Sequence, residues 1–205
     1  DQKAGGTFKT SVTLPSKATA TFRIVGTVAA DATGSLSSTA TVTLDADAKT
    51  VTDTDALLPR SIAVGGNGSW AADSTVKLVN PATGAAVAGP VTPFAGVRSG
   101  VRSVMVDLTG DGKDELVTVA NYGGDGKVAV YRQDVVDGKV TLAKAAGYDA
   151  LAPFGSLARG MTVAAGDFDG DGLQDLAFAQ TSGDGAVRLY RSTPGAAGGP
   201  LTFLK

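Results

Sequence analysis

The sequence predicts an all-β fold in which a small β-sandwich is followed by four-stranded blades. Glycine is abundant, with 28 residues in a chain of 205, whereas aromatic residues make up only 6%. This composition favours short strands and tight turns over helices. Thr-rich stretches with two-residue alternation open the chain, and a repeat with a period of sixty residues follows them. Alternation of this kind indicates strands, and such a repeat indicates stacked strand units.

The first domain is predicted to span residues 1–58 and to form the β-sandwich. Its three Thr-rich segments with alternating polarity are residues 7–14, 18–28 and 36–44. In the second segment Phe22, Ile24 and Val28 would share one face, as in a half-buried antiparallel strand. Residues 49–56 follow as a polar stretch, and Pro59 marks the predicted boundary.

Asp53 and Asp55 alternate within that polar stretch and raise the question of a metal site. Neither has the following glycine and the ninth-position acid of the two loops described below. We therefore predict a solvated linker there.

The second domain, residues 59–205, is predicted to contain about three blades. Identical residues recur sixty positions apart, at Pro93 and Pro153, Gly100 and Gly160, and Asp107 and Asp167. Each full unit consists of a strand, an acidic loop, a second strand, a Gly-Asp-Gly hairpin, a third strand and a weaker fourth strand. The first blade, residues 61–91, is degenerate: strands 62–64 and 76–79 would lie opposite each other, without an acidic loop.

Two acidic loops, residues 107–115 and 167–175, carry the chemistry of the sequence. Side-chain oxygens occur at loop positions 1, 3, 5 and 9, and glycines at positions 4 and 6. The side chains are Asp107, Thr109, Asp111 and Glu115 in the first loop, and Asp167, Asp169, Asp171 and Asp175 in the second. Convergent carboxylates repel one another without a cation, and calcium is the usual partner of such oxygen-rich loops. We predict about two calcium sites, with plain Asp-Gly turns as the alternative.

The residues around the loops separate them from EF-hands, whose loops begin with similar spacing. An EF-hand has a bidentate Glu at position 12 and then a helix. Here residues 116–120 and 176–179 are typical of strands, as are residues 101–106 and 161–165 upstream. Each loop therefore turns one strand into the next.

With these flanking strands, the second domain resembles the FG-GAP (or VCBS) repeats, the calcium-loop blades of integrin α-chain propellers and of many bacterial surface proteins. The resemblance implies β-propeller-type blades and adds the main-chain carbonyls of Lys113 and Leu173 to the ligands. The first loop departs from the family pattern at Thr109, where Asp or Asn is usual, and at Glu115, where Asp is usual. We expect its site to be the weaker one.

The first domain resembles the C-terminal half of an Ig-like conserved-repeat domain of bacterial surface proteins. The similarity lies in residues 14–22, which end in Ala-Thr-Phe, and in residues 36–42, Leu-Ser-Ser-Thr-Ala-Thr-Val. About half of that domain's strands would be absent, so we expect its beginning to lie outside this chain. An unrelated Thr-rich sheet is the alternative.

Composition excludes several functions. Lys and Arg number 18 against 20 for Asp and Glu, so no basic field favours a nucleic-acid partner. The chain has no Cys and no His, and Asp114 and Glu115 would point to opposite faces of a strand, so we predict that it is not an enzyme. No apolar run approaches the length of a membrane span. The opening residues lack a signal-peptide pattern, and we expect either that a signal was removed or that the piece is internal.

These observations predict a calcium-stabilised, extracellular structural or adhesive module, a fragment or subunit of a larger exported protein. Its expected partners are other chains or further blades, because three blades cannot close a ring. The alternative is a carbohydrate-binding accessory module of a secreted enzyme, with Trp70 as a sugar-stacking candidate. Four equivalent side chains, expected to pack between blades rather than bind a ligand, are Tyr131, Arg132, Tyr190 and Arg191. Asp125 and Asp184 are expected to serve the hairpin turns.

Overall fold

The structure, a computed structural model, describes residues 9–21, 23, 34–44, 47–66, 73–156, 160–183, 185–193 and 201–204. The described chain is all-β and forms several small antiparallel sheets. Its strands are β1 Gly34–Leu44, β2 Asp47–Leu57, β3 Ile62–Gly65, β4 Val76–Val79, β5 Ala86–Val91, β6 Val101–Val106, β7 Glu115–Ala120, β8 Val128–Val136, β9 Lys139–Lys144, β10 Met161–Gly166, β11 Asp175–Gln180, β12 Val187–Arg191 and β13 Thr202–Phe203.

The repeat forms two four-stranded sheets, in the orders β6-β7-β8-β9 and β10-β11-β12-β13. Every neighbouring pair is antiparallel, and in both sheets an acidic loop joins the first strand to the second. The Gly-Asp-Gly hairpin of the first unit is a short 3-10 turn, Gly124–Gly126, in which Asp125 adopts a φ of 55°. The predicted strand order is confirmed for both units.

A three-stranded sheet, β3-β4-β5, precedes them and corresponds to the degenerate blade. Ile62 pairs with Val79 and Val64 with Lys77, which confirms that strands 62–64 and 76–79 lie opposite each other. Strand β6 contacts both β3 and β10, so the first strands of the three sheets are neighbours. Among the described residues these sheets do not close into a ring, and a propeller is therefore not established.

Two apolar clusters hold these three sheets together, one on each side of the middle sheet. The first contains Val76 and Leu78 from β4 with Leu116 and Ala120 from β7, and the second contains Val117 and Val119 from β7 with Leu176 and Phe178 from β11. All six residues of β7 are buried because apolar side chains of both faces have a neighbouring sheet to pack against.

The remaining sheet is a hairpin of β1 and β2, and it corrects one prediction. Residues 49–56 belong to β2 and are not a linker, although Asp53 and Asp55 are exposed as expected. Hydroxyl pairs 3.0 Å apart join the strands: Ser37 with Thr54, Thr39 with Thr52 and Thr41 with Thr50. Polar side chains predominate on both faces of β2. The alternation of apolar and polar residues that marks a strand in sequence is therefore missing there.

The β-sandwich itself is not found among the described residues. Segment 36–44 is a strand, but residues 9–14 and 18–21, which belong to the other two predicted strands, have no regular secondary structure. Phe22, Ile24 and Val28 lie outside the described residues, as do Trp70 and Asp184. An Ig-like fold is therefore not established for this part.

Gly160 occupies a contact between the two repeat sheets that leaves no room for a side chain. A Cβ on Gly160 would lie 1.5 Å from the carbonyl oxygen of Asn121. We expect Gly160→Ala to destabilise the protein by about 2 kcal/mol or more, since overpacking moves backbone as well as side chains. Gly166→Ala is the control, because its Cβ would meet only the exposed Phe168 ring at 3.2 Å. Equal melting temperatures for the two variants would contradict this packing.

Candidate metal centre

Each acidic loop occupies the turn between the first and second strands of its sheet. The first loop, residues 107–115, leaves β6 and enters β7, and the second loop, residues 167–175, leaves β10 and enters β11. Glycines at positions 4 and 6 have φ values of 74° and 80° in the first loop, at Gly110 and Gly112. The values are 81° and 87° in the second, at Gly170 and Gly172. Left-handed conformations at both positions favour glycine and explain the repeated Gly-Asp-Gly.

The carboxylate at position one holds the backbone of each loop in a tight curl. Asp107 accepts the N–H groups of Gly110 and Gly112, each at 2.7 Å. Asp167 accepts the equivalent N–H groups of the second loop at 2.7 and 3.0 Å. Each carboxylate offers about four lone-pair sites, so these bonds leave capacity for a cation.

The acid at position nine is buried at the start of the second strand and anchors the other end of the loop. Glu115 accepts the N–H of Leu108 at 2.9 Å, and Asp175 accepts the N–H of Phe168 at 3.0 Å. Asp175 also accepts the N–H of Ser192 at 3.0 Å, from the end of the third strand. The two loops thus share one hydrogen-bonding plan.

In the second loop three carboxylates converge. Oxygen atoms of Asp167, Asp169 and Asp175 all lie within 4.8 Å of one another, close enough to hold a metal ion. Asp171 is outside this group, and its Oδ1 accepts the N–H of Leu173. Arg191, at the end of β12, lies 3.6 Å from Asp169 and offsets part of the negative charge.

The first loop has one carboxylate fewer at the equivalent positions, because Thr109 stands where Asp169 stands in the second loop. Its three predicted carboxylate ligands, Asp107, Asp111 and Glu115, do not come within the same limit. The Oγ1 atom of Thr109 is buried and has no hydrogen-bond partner. A cavity of about 380 Å³ adjoins the loop and is lined by Thr109, Asp111 and Glu115 among others.

Glu115 is only 6% exposed, and its charge is disfavoured in the metal-free loop. Burial, as the largest cause, raises its pKa from 4.5 to about 7. The hydrogen bond from Leu108 acts in the opposite direction, and neighbouring carboxylates of the loop add to the rise. A cation bound beside Glu115 would favour its charged form.

The hydrogen bonds within the loops do not test the two predicted main-chain ligands. The N–H groups of Lys113 and Leu173 bind Asp111 and Asp171, while ligation by their carbonyl groups stays a prediction. The sequence did not reveal the contacts of two residues that follow the repeated Tyr-Arg pair on the third strands: Ser192, whose N–H binds Asp175, and Gln133, whose Nε2 donates to the carbonyl of Asp114. The signal was available, since that pair aligns the two strands residue for residue.

Of the repeated Tyr and Arg side chains, the two tyrosines pack against apolar residues, as expected, whereas the two arginines are exposed and form ion pairs. Tyr131 is buried in the cluster between the first two blade sheets, and Tyr190 stacks edge-on against Phe178 with ring centroids 5.6 Å apart. Arg132 pairs with Asp134 at 3.0 Å. Arg191 pairs with Asp169 of the second loop, so only this arginine lies beside a predicted metal ligand.

A comparison with protein-family models agrees with this geometry. The model of the FG-GAP-like repeat matches residues 107–178, from the start of the first loop into β11. No curated protein and no solved structure matched the chain. FG-GAP-like repeats are often found in extracellular and adhesive proteins. The described residues include no helix of the length and apolarity needed to cross a membrane.

The burial of Glu115 predicts an unusual pH dependence without metal. Because its folded pKa of about 7 lies above 4.5, the folded state binds more protons between these values, and stability falls as pH rises through them. We expect metal-free Glu115→Gln to be more stable than the parent by about 1 to 3 kcal/mol at pH 8. Near pH 4 the two should be equally stable. Urea unfolding in chelator measures both values.

Calcium should reverse the order of the two proteins at pH 8, since the amide of the variant carries no charge for the ion. A metal-free parent whose stability does not fall between pH 5 and 8 would contradict the burial of an ionised Glu115.

Proposed function

We propose that this chain is a calcium-stabilised extracellular module with a structural or adhesive role. The observation that carries the proposal is the convergence of Asp167, Asp169 and Asp175 within 4.8 Å at a strand turn. Three carboxylates so close together repel one another, and a divalent cation would relieve that repulsion. The residues therefore fit the ion that the repeat family implies.

Calcium suits these loops better than other common metals. All candidate ligands are oxygen atoms, which zinc and copper sites rarely use alone, and the chain offers neither Cys nor His. The loops are open and exposed at their tips, a setting more compatible with the variable geometry of calcium than with the strict octahedron of magnesium. Extracellular fluid supplies calcium at the concentration that such modules require, with dissociation constants of about 10⁻⁴ to 10⁻³ M.

The effect of the ion would be to stiffen the turn between the first two strands of each blade. Asp167 organises the loop, while Asp175 belongs to β11 and bonds the end of β12 through Ser192. An ion shared by these carboxylates would tie loop, second strand and third strand together. Mass action predicts a gain of about 1 kcal/mol per site at millimolar calcium.

A contact function agrees with the remaining features. We propose that further blades or other protein chains are the partners, and that the chain performs no catalysis. The lack of His and Cys supports the second point, because neither a Ser-His nor a Cys-His pair can be assembled. The proposed calcium requirement and the usual setting of the repeat support a location outside the cell.

Calcium titration by calorimetry, with thermal melts in calcium and in chelator, tests the proposal. We expect two binding events, the tighter at the second loop, and a higher melting temperature with calcium. Magnesium at equal concentration should shift the melting temperature less. Absence of any calcium binding would refute the proposal.

Position three of the loops provides matched variants for assigning the two events. Asp169→Ala should abolish the tighter event because it removes one of the three converging carboxylates. Thr109→Ala should weaken the other event by a smaller factor, since a hydroxyl brings no charge. Equal losses in the two variants would contradict the assignment.

A carbohydrate-binding role is the second candidate, and one cleft favours it. This cleft of about 860 Å³ lies between residues 93–99 and the hairpin that follows β7, and its lining includes Arg98, Tyr122 and Lys127. The Tyr122 ring is 62% exposed although its backbone is fixed on both sides by Ser99. Exposed aromatic rings beside polar groups are suited to stacking on sugars.

A glycan array separates the two candidates. If the cleft binds sugars, the parent protein will bind a defined glycan class and Tyr122→Ala will lose that binding while its calcium-dependent melting stays unchanged. Binding that persists in the variant would place the sugar elsewhere.

A further inference from the structure

Gln133, on strand β8, is a partly buried residue whose side-chain oxygen has no hydrogen-bond partner. Its Nε2 donates a hydrogen bond to the carbonyl of Asp114 at 2.9 Å, which fixes the orientation of the amide group. Its Oε1 is buried and has no hydrogen-bond partner. A buried acceptor without a partner is costly, so this oxygen needs a partner from outside the protein, either a water molecule or an ion.

Gln133 lies beside the first loop. Gln133 lines the cavity of about 380 Å³ together with Thr109, Asp111 and Glu115. Among the described residues two buried side-chain polar atoms lack a partner, Gln133 Oε1 and Thr109 Oγ1, and both residues line this cavity. Two free oxygens beside two acidic side chains make a set of donors suited to a hard cation.

The second loop shows what the corresponding position does there. Ser192 follows Tyr190-Arg191 as Gln133 follows Tyr131-Arg132, and its Oγ donates to the carbonyl of Gln174 at 2.5 Å. Both side chains therefore bind the carbonyl before the ninth-position acid. The glutamine differs from the serine in carrying a second polar atom, Oε1, which is buried and has no hydrogen-bond partner, and it occurs beside the loop that has Thr109 in place of an aspartate.

We propose that Gln133 Oε1 is an additional ligand of the ion held by the first loop, supplied by β8 from outside the loop. The inference rests on the proposed calcium function. The amide oxygen would replace part of the coordination that the first loop lacks through its neutral Thr109. A water molecule that merely bridges Gln133 and Thr109 is the competing explanation.

Europium luminescence in the full chain distinguishes these explanations, because the emission lifetime counts the water molecules bound to the ion. Asp169→Ala removes ion binding at the second loop, so that the europium emission comes from the first loop alone. Adding Gln133→Leu should increase the count by one water and weaken calcium binding about tenfold. Gln133→Glu, which restores an oxygen and adds charge, should bind calcium at least as tightly as the parent.

Several outcomes would overturn the inference. An unchanged water count and affinity in Gln133→Leu would show that this oxygen does not reach the ion, while the calcium function would stand. If the parent bound calcium at the second loop alone, the inference would also fail while the calcium function would stand. If the parent bound neither europium nor calcium, the proposed function would fail together with the inference. Melts in chelator verify that the variants fold.

Discussion

Both loops depend on the burial of a carboxylate at the start of a second strand. Glu115 is 6% exposed and Asp175 is fully buried, and a buried charge is costly unless it is paired or hydrogen-bonded. Each acid accepts a hydrogen bond from the N–H at loop position two. This bond ties the beginning of the loop to its ninth residue. Asp175 gains a further N–H from Ser192, whereas the charge of Glu115 is disfavoured and its pKa rises to about 7.

Because of this difference, the two loops would not bind a cation equally readily. The second loop brings three carboxylates together through its own hydrogen bonds, with Arg191 as a partial counter-charge, so an ion would find most of its ligands in place. The first loop holds a neutral Thr109 where Asp169 stands in the second, and its Glu115 must lose a proton before it can serve as a charged ligand. Calcium binding there would therefore be coupled to proton release near neutral pH.

Much of the fold could be predicted because the repeat strands carry clear signals. Residues 101–106 are mostly apolar and end at an acidic loop with glycines at fixed positions. Strand β6 has the same bounds. Strand β2 was missed because its Thr and Asp residues pair with other polar residues and neither face is buried. Gln133 and Ser192 were missed for another reason: they reach the loops from a later strand, and loop spacing carries no information about such contacts.

The two equivalent second strands show how neighbours shape their composition. Strand β7 has sheets on both sides and contains Val117 and Val119 on one face and Leu116 on the other, all fully buried. In β11 the corresponding outer face carries Ala177 and Ala179, which remain partly exposed. Small side chains allow another sheet to approach closely and cost little when exposed. If the proposed contact with a further blade or chain is made at this face, an ion at the adjacent loop would hold the face rigid for it.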